Sequence, residues 1–148
     1  SHGEIFWNEK NINESTFSQS NLNYVSHSLG LAEELTTLEN LSFLRTISRK
    51  ALNKTVEASL ETMNLKSFQD YRVAILSAGQ KQRASLAQLL MFNCPLWLLD
   101  EPFNSLDAES CGVIESLIDD HMSNGGIAIV ASHQKFQSST VQQVVELK

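Results

Sequence analysis

Apolar residues recur every three or four positions in the segment from about Ala32 to Leu65. The positions are Leu35, Leu38, Leu41, Leu44, Leu52, Val56, Leu60 and Met63, with Glu, Lys, Asn and Thr between them. This spacing is the period of an α-helix that buries one face. We therefore expect two or three short helices in this segment.

Two later runs are apolar without alternation, Leu96–Leu99 and Ile127–Ala131. Such runs are typical of strands that are buried on both faces of a parallel sheet. Between them, residues 106–122 carry apolar positions at helical spacing and end on Asn124-Gly125-Gly126, a combination that predicts a helix and its stop. Strand, helix and strand together predict a βαβ unit with a right-handed crossover.

The other predicted elements are shorter or lie nearer the ends. Two short strands are expected at Gly3–Trp7 and Leu22–His27, joined by a polar loop over residues 8–21. A helix is expected over residues 77–93, since Pro95 bars its continuation, and a last strand over residues 141–147. The predicted fold is α/β, with a core formed by residues 1–31 and 76–148 and an inserted helical subdomain at 32–75.

Composition narrows the class of protein. Of 148 residues, 42% are hydrophobic and 19% are charged, which is typical of a globular domain rather than a disordered chain. The net charge of −6 argues against nucleic acid as a partner. No apolar run approaches the roughly 18 residues of a membrane-spanning helix. Two cysteines cannot form a disulfide framework, which favours a reducing compartment.

The candidate chemistry begins with Asp100 and Glu101, which directly follow the first apolar strand. Ligands of parallel sheets collect beyond the carboxyl ends of the strands. One carboxylate there could hold Mg²⁺ while the other polarises an attacking water. An isolated acidic pair could also merely cap the next loop. His133 follows the second apolar strand, so we expect it at the same edge of the sheet.

A second candidate is the start of the helix at Ser77-Ala78-Gly79-Gln80. A hydroxyl, a glycine that allows close approach and the free N–H groups of a first helical turn form an anion site. The alternative is a serine that caps the helix with nothing bound. The same alternative applies to Asp107, which precedes the helix that follows the acidic pair.

These motifs, in this order, resemble those of the ATP-binding cassette (ABC) ATPases. LSAGQ (76–80), LWLLDEP (96–102), SLD (105–107) and SH (132–133) resemble the signature motif, the Walker B strand, the D-loop and the switch histidine. The sequence resembles one branch of the family more closely, the ATP-binding subunit of the haem exporter of cytochrome c biogenesis. The segments that carry this resemblance are LSAGQKQR, LLDEPFNSLD and LTTLENLSF.

The resemblance implies roles for individual residues. Asp100 would help to hold the Mg²⁺ of MgATP, Glu101 would activate the hydrolytic water, and His133 would contact the γ-phosphate.

The resemblance also implies a head-to-tail dimer with a second ABC ATPase subunit. Ser77, Gly79 and Gln80 would touch an ATP held by that subunit, and Asp107 would lie on the seam between the two copies.

For the whole protein, the resemblance implies an ATPase that drives export of haem or a related substrate. Transmembrane permease subunits would dock on the helical segment at 32–75. The protein would therefore lie at the cytoplasmic face of the inner membrane.

The sequence departs from the family pattern in two places. No two glycines are five apart, so no G-x-x-x-x-G-K-[ST] P-loop is present. The chain looks like an ABC domain without its first portion, and we expect it to bind MgATP poorly and to hydrolyse it negligibly. We also expect the strand Ile127–Ala131 to have an unpaired edge through which the chain dimerises.

The second departure is at the position of the Q-loop glutamine. The residue there is Ser28, whose side chain is too short to fill that role unaided.

A different class of function therefore stays open. The chain could be a non-catalytic interaction module that supplies only signature residues to a complete partner ATPase.

Overall fold

The computed structural model describes residues 3–13, 17–133 and 143. In chain order the elements are β1 (Phe6–Trp7), β2 (Lys10–Asn11), α1 (Phe17–Ser20), β3 (Leu22–Val25), α2 (Thr37–Ile47), α3 (Val56–Thr62), 3-10 helices at Lys66–Phe68 and Val73–Ile75, α4 (Ala78–Leu86), α5 (Gln88–Met91), β4 (Leu96–Asp100), α6 (Ala108–Ser123) and β5 (Ile127–Ala131). The expected strand over residues 141–147 lies outside the described residues, apart from Gln143.

The main sheet has three parallel strands in the order β3-β4-β5. Leu96 of β4 pairs with Leu22 on one side and with Ile127 on the other. The central strand β4 is the most buried of the three, and its Leu99 is only 2% exposed. Because all three strands run in one direction, their carboxyl ends meet at a single edge of the sheet.

The two-sided burial predicted for β5 is wrong. Ile127 and Ile129 are 48% and 55% exposed, whereas Ala128 and Val130 pack against the core. β5 pairs only with β4 among the described residues, and α6 covers one of its faces. An apolar run indicates that a strand can be buried, but it does not indicate which elements cover the two faces of the strand.

The helices begin at the side chains that the capping rules favour. Thr36 accepts the Glu39 N–H while Glu39 accepts the Thr36 N–H, a complete capping box for α2. Thr55 caps α3 in the same manner. The periodic leucines differ in burial according to whether they lie in these helices. Leu41 and Leu60 are fully buried, whereas Leu52 lies outside any helix and is half exposed.

One hydrophobic core joins the helices of residues 37–62 to the sheet. Its members include Leu41, Leu60, Leu86, Leu89, Phe92, Trp97, Leu99, Ile114 and Ile118. The subdomain boundaries at residues 31 and 76 stay a prediction. No helix in the described ranges has both the length and the hydropathy needed to cross a bilayer.

Two further expectations need correction. The predicted loop over residues 8–21 contains β2 and α1, and β2 pairs antiparallel with β1 as a hairpin apart from the main sheet. The predicted helix over 77–93 is divided, because α4 ends at Leu86 and α5 begins at Gln88.

Candidate functional site

The acidic pair lies where the sequence places it, at the carboxyl end of β4. Asp100 is the last residue of β4 and pairs with Ala131 of β5. Glu101 continues this pairing by one hydrogen bond, its N–H donating to the Ala131 carbonyl at 2.8 Å. It then turns the chain with φ +50°, in the left-handed region that non-glycine residues rarely adopt. Strain of this kind costs about 1 kcal/mol or more and is concentrated at functional sites.

The Glu101 carboxylate meets the residues that follow β5. The His133 N–H donates to Oε1 at 3.0 Å, and the His133 Nε2 lies 3.5 Å from the same oxygen. The Ser132 hydroxyl lies 3.4 Å from Oε2. The Glu101 side chain is only 15% exposed, whereas that of His133 is almost fully exposed. The carboxylate is therefore fixed in direction. The imidazole beside it is exposed and can still reach a ligand.

This edge of the sheet offers carboxylate oxygens, which suit Mg²⁺ when substrate and water supply its other ligands. Among the described residues, no group of three or more His, Cys, Asp or Glu side chains could hold a metal ion. Mg²⁺ commonly binds to one or two carboxylates and completes its octahedron with waters and substrate phosphates. Asp100 fits that pattern as a single carboxylate ligand, with the remaining ligands to come from substrate and water.

The start of α4 is both capped and open to an anion. The Ser77 Oγ accepts the Gln80 N–H at 3.2 Å, and the Gln80 Oε1 accepts the Ser77 N–H at 2.9 Å. Within the described chain, the N–H groups of Ala78 and Gly79 have no acceptor. Ser77 and Ala78 are exposed and Gly79 is partly buried, so the start of this helix lies at the surface.

The loop at residues 101–107, called the acidic loop below, packs directly on α4. A Cβ added at Gly79 would lie 2.7 Å from the Ser105 carbonyl oxygen. Ser105 itself has φ +62°. The glycine of the signature-like motif therefore has a structural reason besides any contact with a ligand, because only glycine lets this loop approach.

Asp107 ends the acidic loop and caps α6. Its Oδ1 accepts the Ser110 N–H at 2.8 Å. Hydrogen bonds from Ser110, with a smaller contribution from the positive charge of Arg83, lower the pKa of Asp107 from its ordinary value. The capping interpretation of Asp107 is thus what the structure shows, and a place on a dimer seam stays a prediction.

Ser28 lies beyond the carboxyl end of β3, the strand beside β4. It is exposed and its hydroxyl is 3.0 Å from that of Ser26. In the described part of the chain, no hydrogen bond joins it to Asp100 or Glu101. The structure therefore places Asp100, Glu101 and His133 at one edge of the sheet, whereas no hydrogen bond among the described residues joins Ser28 to the acidic pair.

The sequence reasoning passed over two residues of α4, of which Gln82 contacts the site and Arg83 binds elsewhere. Gln82 is buried, and its Nε2 lies 3.3 Å from the Glu101 carbonyl and 3.1 Å from that of Pro102. The Arg83 Nη1 donates to the Met63 carbonyl at 3.0 Å. A signal for Gln82 exists in the sequence, since it shares a helix face with the buried Leu86 and Leu89.

Comparison with known proteins identifies the family of the chain. The model of the family described as ABC transporter matches residues 1–104. The cytochrome c biogenesis ATP-binding export protein CcmA of Pasteurella multocida (strain Pm70) is 41% identical over 145 residues, which are 96% of this chain and 68% of that protein. The protein of the same name from Haemophilus influenzae is 37% identical, with coverages of 96% and 68%.

A solved structure shares the fold. The ATP-binding cassette MJ0796, in a dimeric post-hydrolysis state bound to ADP and Pi, superposes with a TM-score of 0.77 at 24% identity. The match covers 90% of this chain and 64% of that one. The predicted α/β fold class is confirmed. The chain spans about two thirds of the length of the curated relatives that it matches. It belongs to the ABC transporter family, whose ATP-binding members hydrolyse ATP, and within that family to the CcmA branch.

Proposed function

We propose that the chain supplies the Walker B, D-loop and signature part of an ATP-binding subunit that hydrolyses ATP to drive export of haem or a related substrate in cytochrome c biogenesis. The observation that carries the proposal is the pairing of the Glu101 carboxylate with the His133 N–H at 3.0 Å, directly beyond Asp100. The printed name of the curated relatives supports the biological setting.

Each residue at the sheet edge has a task that its chemistry allows. Asp100 would hold Mg²⁺, and the bound ion would neutralise part of the charge on the transferred phosphoryl group. Glu101 accepts a hydrogen bond from the attacking water and orients it, since its carboxylate is already held by His133 and Ser132. The exposed His133 imidazole donates to the γ-phosphate. Phosphoryl transfer depends mainly on such positioning and electrostatic stabilisation.

The start of α4 serves the ATP of a second copy of the subunit. The N–H groups of Ala78 and Gly79 support this assignment, because they have no acceptor among the described residues and the first turn of a helix favours an anion. The Ser77 hydroxyl accepts from Gln80 and keeps its own proton to donate. Gln80 fixes the turn, and Asp107 lies on the seam between the copies.

A membrane permease docks in a groove beside α2. The groove encloses a cavity of ≈ 380 Å³ and begins at the loop that carries Ser28. Its apolar side chains Tyr24, Phe43 and Ile47 are all more than half exposed. Contiguous apolar surface of this kind marks protein interfaces. Docking there would place the subunit at the cytoplasmic face of the inner membrane.

The chain alone is expected to bind MgATP poorly, because its sequence contains no P-loop to hold the β- and γ-phosphates. Calorimetric titration of the chain should give no micromolar affinity and no turnover. A tight, hydrolysed complex would contradict this expectation.

The proposed chemistry is tested on the product of the complete gene. Glu101→Gln should lower kcat for ATP hydrolysis by about 100-fold or more, the range for loss of a general base, while ATP binding persists. Glu109→Gln, an exposed acid in the first turn of α6, is the matched control and should leave kcat unchanged. Full turnover in the Glu101 variant would overturn the proposal.

A second candidate is a non-catalytic module that offers Ser77 and Gly79 to a partner ATPase, which the N–H groups of Ala78 and Gly79 without an acceptor among the described residues would equally suit. The upstream gene sequence separates the two. A P-loop there supports the ATPase, whereas a complete gene without one supports the module.

A further inference from the structure

We propose that Gln82 is a positioning residue that couples the start of α4 to Glu101, and so links the ATP sites on the two copies. The inference rests on the proposed function for the identity of those sites. Its geometric part, that Gln82 holds the turn at Glu101, stands on contacts within one chain.

Gln82 is an unusual residue for its place in the fold. It is 6% exposed, on a helix whose other buried residues are Ala84, Ser85 and Leu86. A buried amide is retained only where its donors are satisfied. Here the two N–H donors of Nε2 are directed at two consecutive carbonyls, those of Glu101 and Pro102, at 3.3 and 3.1 Å.

Those two carbonyls belong to the strained turn of the site. Glu101 has φ +50°, and its N–H is held by the Ala131 carbonyl. Its carbonyl accepts from Gln82 and from the Asn104 N–H at 3.2 Å. A residue in a sparsely populated conformation persists only when its surroundings fix both of its flanking peptides. Gln82 is the side chain that fixes the second peptide.

The same helix carries the groups proposed for the second ATP. Three residues before Gln82, Gly79 touches the Ser105 carbonyl at the other end of the acidic loop. α4 therefore contacts the acidic loop at two points. Gln82 contacts the start of the loop and Gly79 contacts its end. A displacement of α4 caused by an anion at Ala78 and Gly79 is passed to the Glu101 turn through these contacts.

This arrangement gives the coupling a direction. The N–H groups of Ala78 and Gly79 serve the ATP on the partner, while Glu101 serves the ATP on its own chain. Gln82 therefore makes the position of each catalytic carboxylate depend on occupancy of the opposite site.

The first test uses the chain itself and needs no activity. Gln82→Met keeps the side-chain volume and removes both donors. We expect amide hydrogen exchange, measured by NMR, to accelerate by about 10-fold or more at Asn104 and His133, whose N–H groups donate to Glu101. The matched control is Gln88→Met, since the Gln88 amide donates to the Ser85 carbonyl at 3.0 Å, outside the acidic loop. Unchanged exchange in the Gln82 variant would overturn the inference.

The second test uses the complete gene product. Gln82→Met should lower kcat by about 10- to 100-fold, the cost of a misplaced catalytic group, and should leave the KM for ATP within about twofold. A change in KM with kcat intact would refute the positioning role. If the wild-type product hydrolyses no ATP, the proposed function fails while the exchange measurement still decides the contact.

A second variant guards against misfolding. If Gln82→Met loses its native circular dichroism, Gln82→Glu is measured in its place, because it keeps size and polarity but offers acceptors to two carbonyls. It should accelerate exchange at the same two amides. Native exchange rates in that variant would equally refute the inference.

Discussion

Replacement of Gly79 by alanine tests the close contact between α4 and the acidic loop. The new Cβ would lie 2.7 Å from the Ser105 carbonyl oxygen and 3.7 Å from the Ser105 carbonyl carbon. The obstacle is backbone rather than the end of a flexible side chain, so the helix or the loop must shift. Ser105 is already in the left-handed region at φ +62°, which leaves its peptide little freedom to turn aside.

Two opposing terms set the magnitude. Alanine is favoured over glycine within a helix by about 1 kcal/mol. Forcing an extra methyl group into a closed contact costs about 1–3 kcal/mol. The free energy of unfolding of Gly79→Ala should therefore fall by about 0–2 kcal/mol below that of the wild type.

The chain offers a matched control in Gly112, which lies within α6 and has nothing within 4 Å of its added Cβ. Gly112→Ala should raise the free energy of unfolding by about 0.5–1 kcal/mol. Both variants are measured by urea denaturation followed by circular dichroism, and the difference between them isolates the clash. Equal stabilisation by the two alanines would refute the close packing of α4 on the loop.

Three further predictions concern the core and its charges. Leu60→Ala, at a fully buried position, should cost about 2–5 kcal/mol in urea denaturation, whereas Leu52→Ala should cost far less because Leu52 is half exposed. Arg83→Met should cost about 1–3 kcal/mol and raise the pKa of Asp107 in an NMR titration, since a charged donor and a nearby cation are lost. Burial lowers the pKa of His121 below 6.5, so protonation favours the unfolded chain and stability should fall as pH drops below 6.5; His121→Phe should remove that slope.

The long regular elements are predictable from sequence. α6 spans sixteen residues, and its apolar spacing, its cap at Asp107 and its stop at Asn124 all agree. β4 is an uninterrupted apolar run between a proline and two acids, and it occupies the centre of the sheet. In both elements local preference and tertiary burial favour the same structure, so the pattern is unambiguous.

The N-terminal hairpin shows why other elements escape prediction. Its two-residue turn uses Asn8 and Glu9, both with positive φ, at +48° and +65°. That geometry belongs to the turn that Asn-Gly usually marks. Here glutamate stands in place of the glycine, so the sequence shows only the asparagine of that turn motif. The strands on either side of the turn are only two residues long. Contact between the Trp7 and Phe17 rings, at 5.5 Å, supplies support that no local pattern records.

The site divides in the same way. Asp100, Glu101 and His133 are predictable as neighbours, because they lie at or just beyond the ends of two apolar strands, and parallel strands end at one edge. The contacts of Gln82 with the Glu101 and Pro102 carbonyls are not, because they join positions nineteen and twenty residues apart through a turn whose φ the sequence does not reveal. Topology is readable where the chain is regular, and the contacts that tune the site arise where it is not.

The start of α4 shows that a cap and a binding site need not compete. The capping box uses the N–H groups of Ser77 and Gln80 and one lone pair of the serine hydroxyl. It leaves the N–H groups of Ala78 and Gly79, together with the hydroxyl proton, at the surface. A helix start that is fixed by its own side chains pays little entropy when an anion arrives, because the donors already converge. The capping interpretation of LSAGQ therefore describes the preorganisation that the binding interpretation requires.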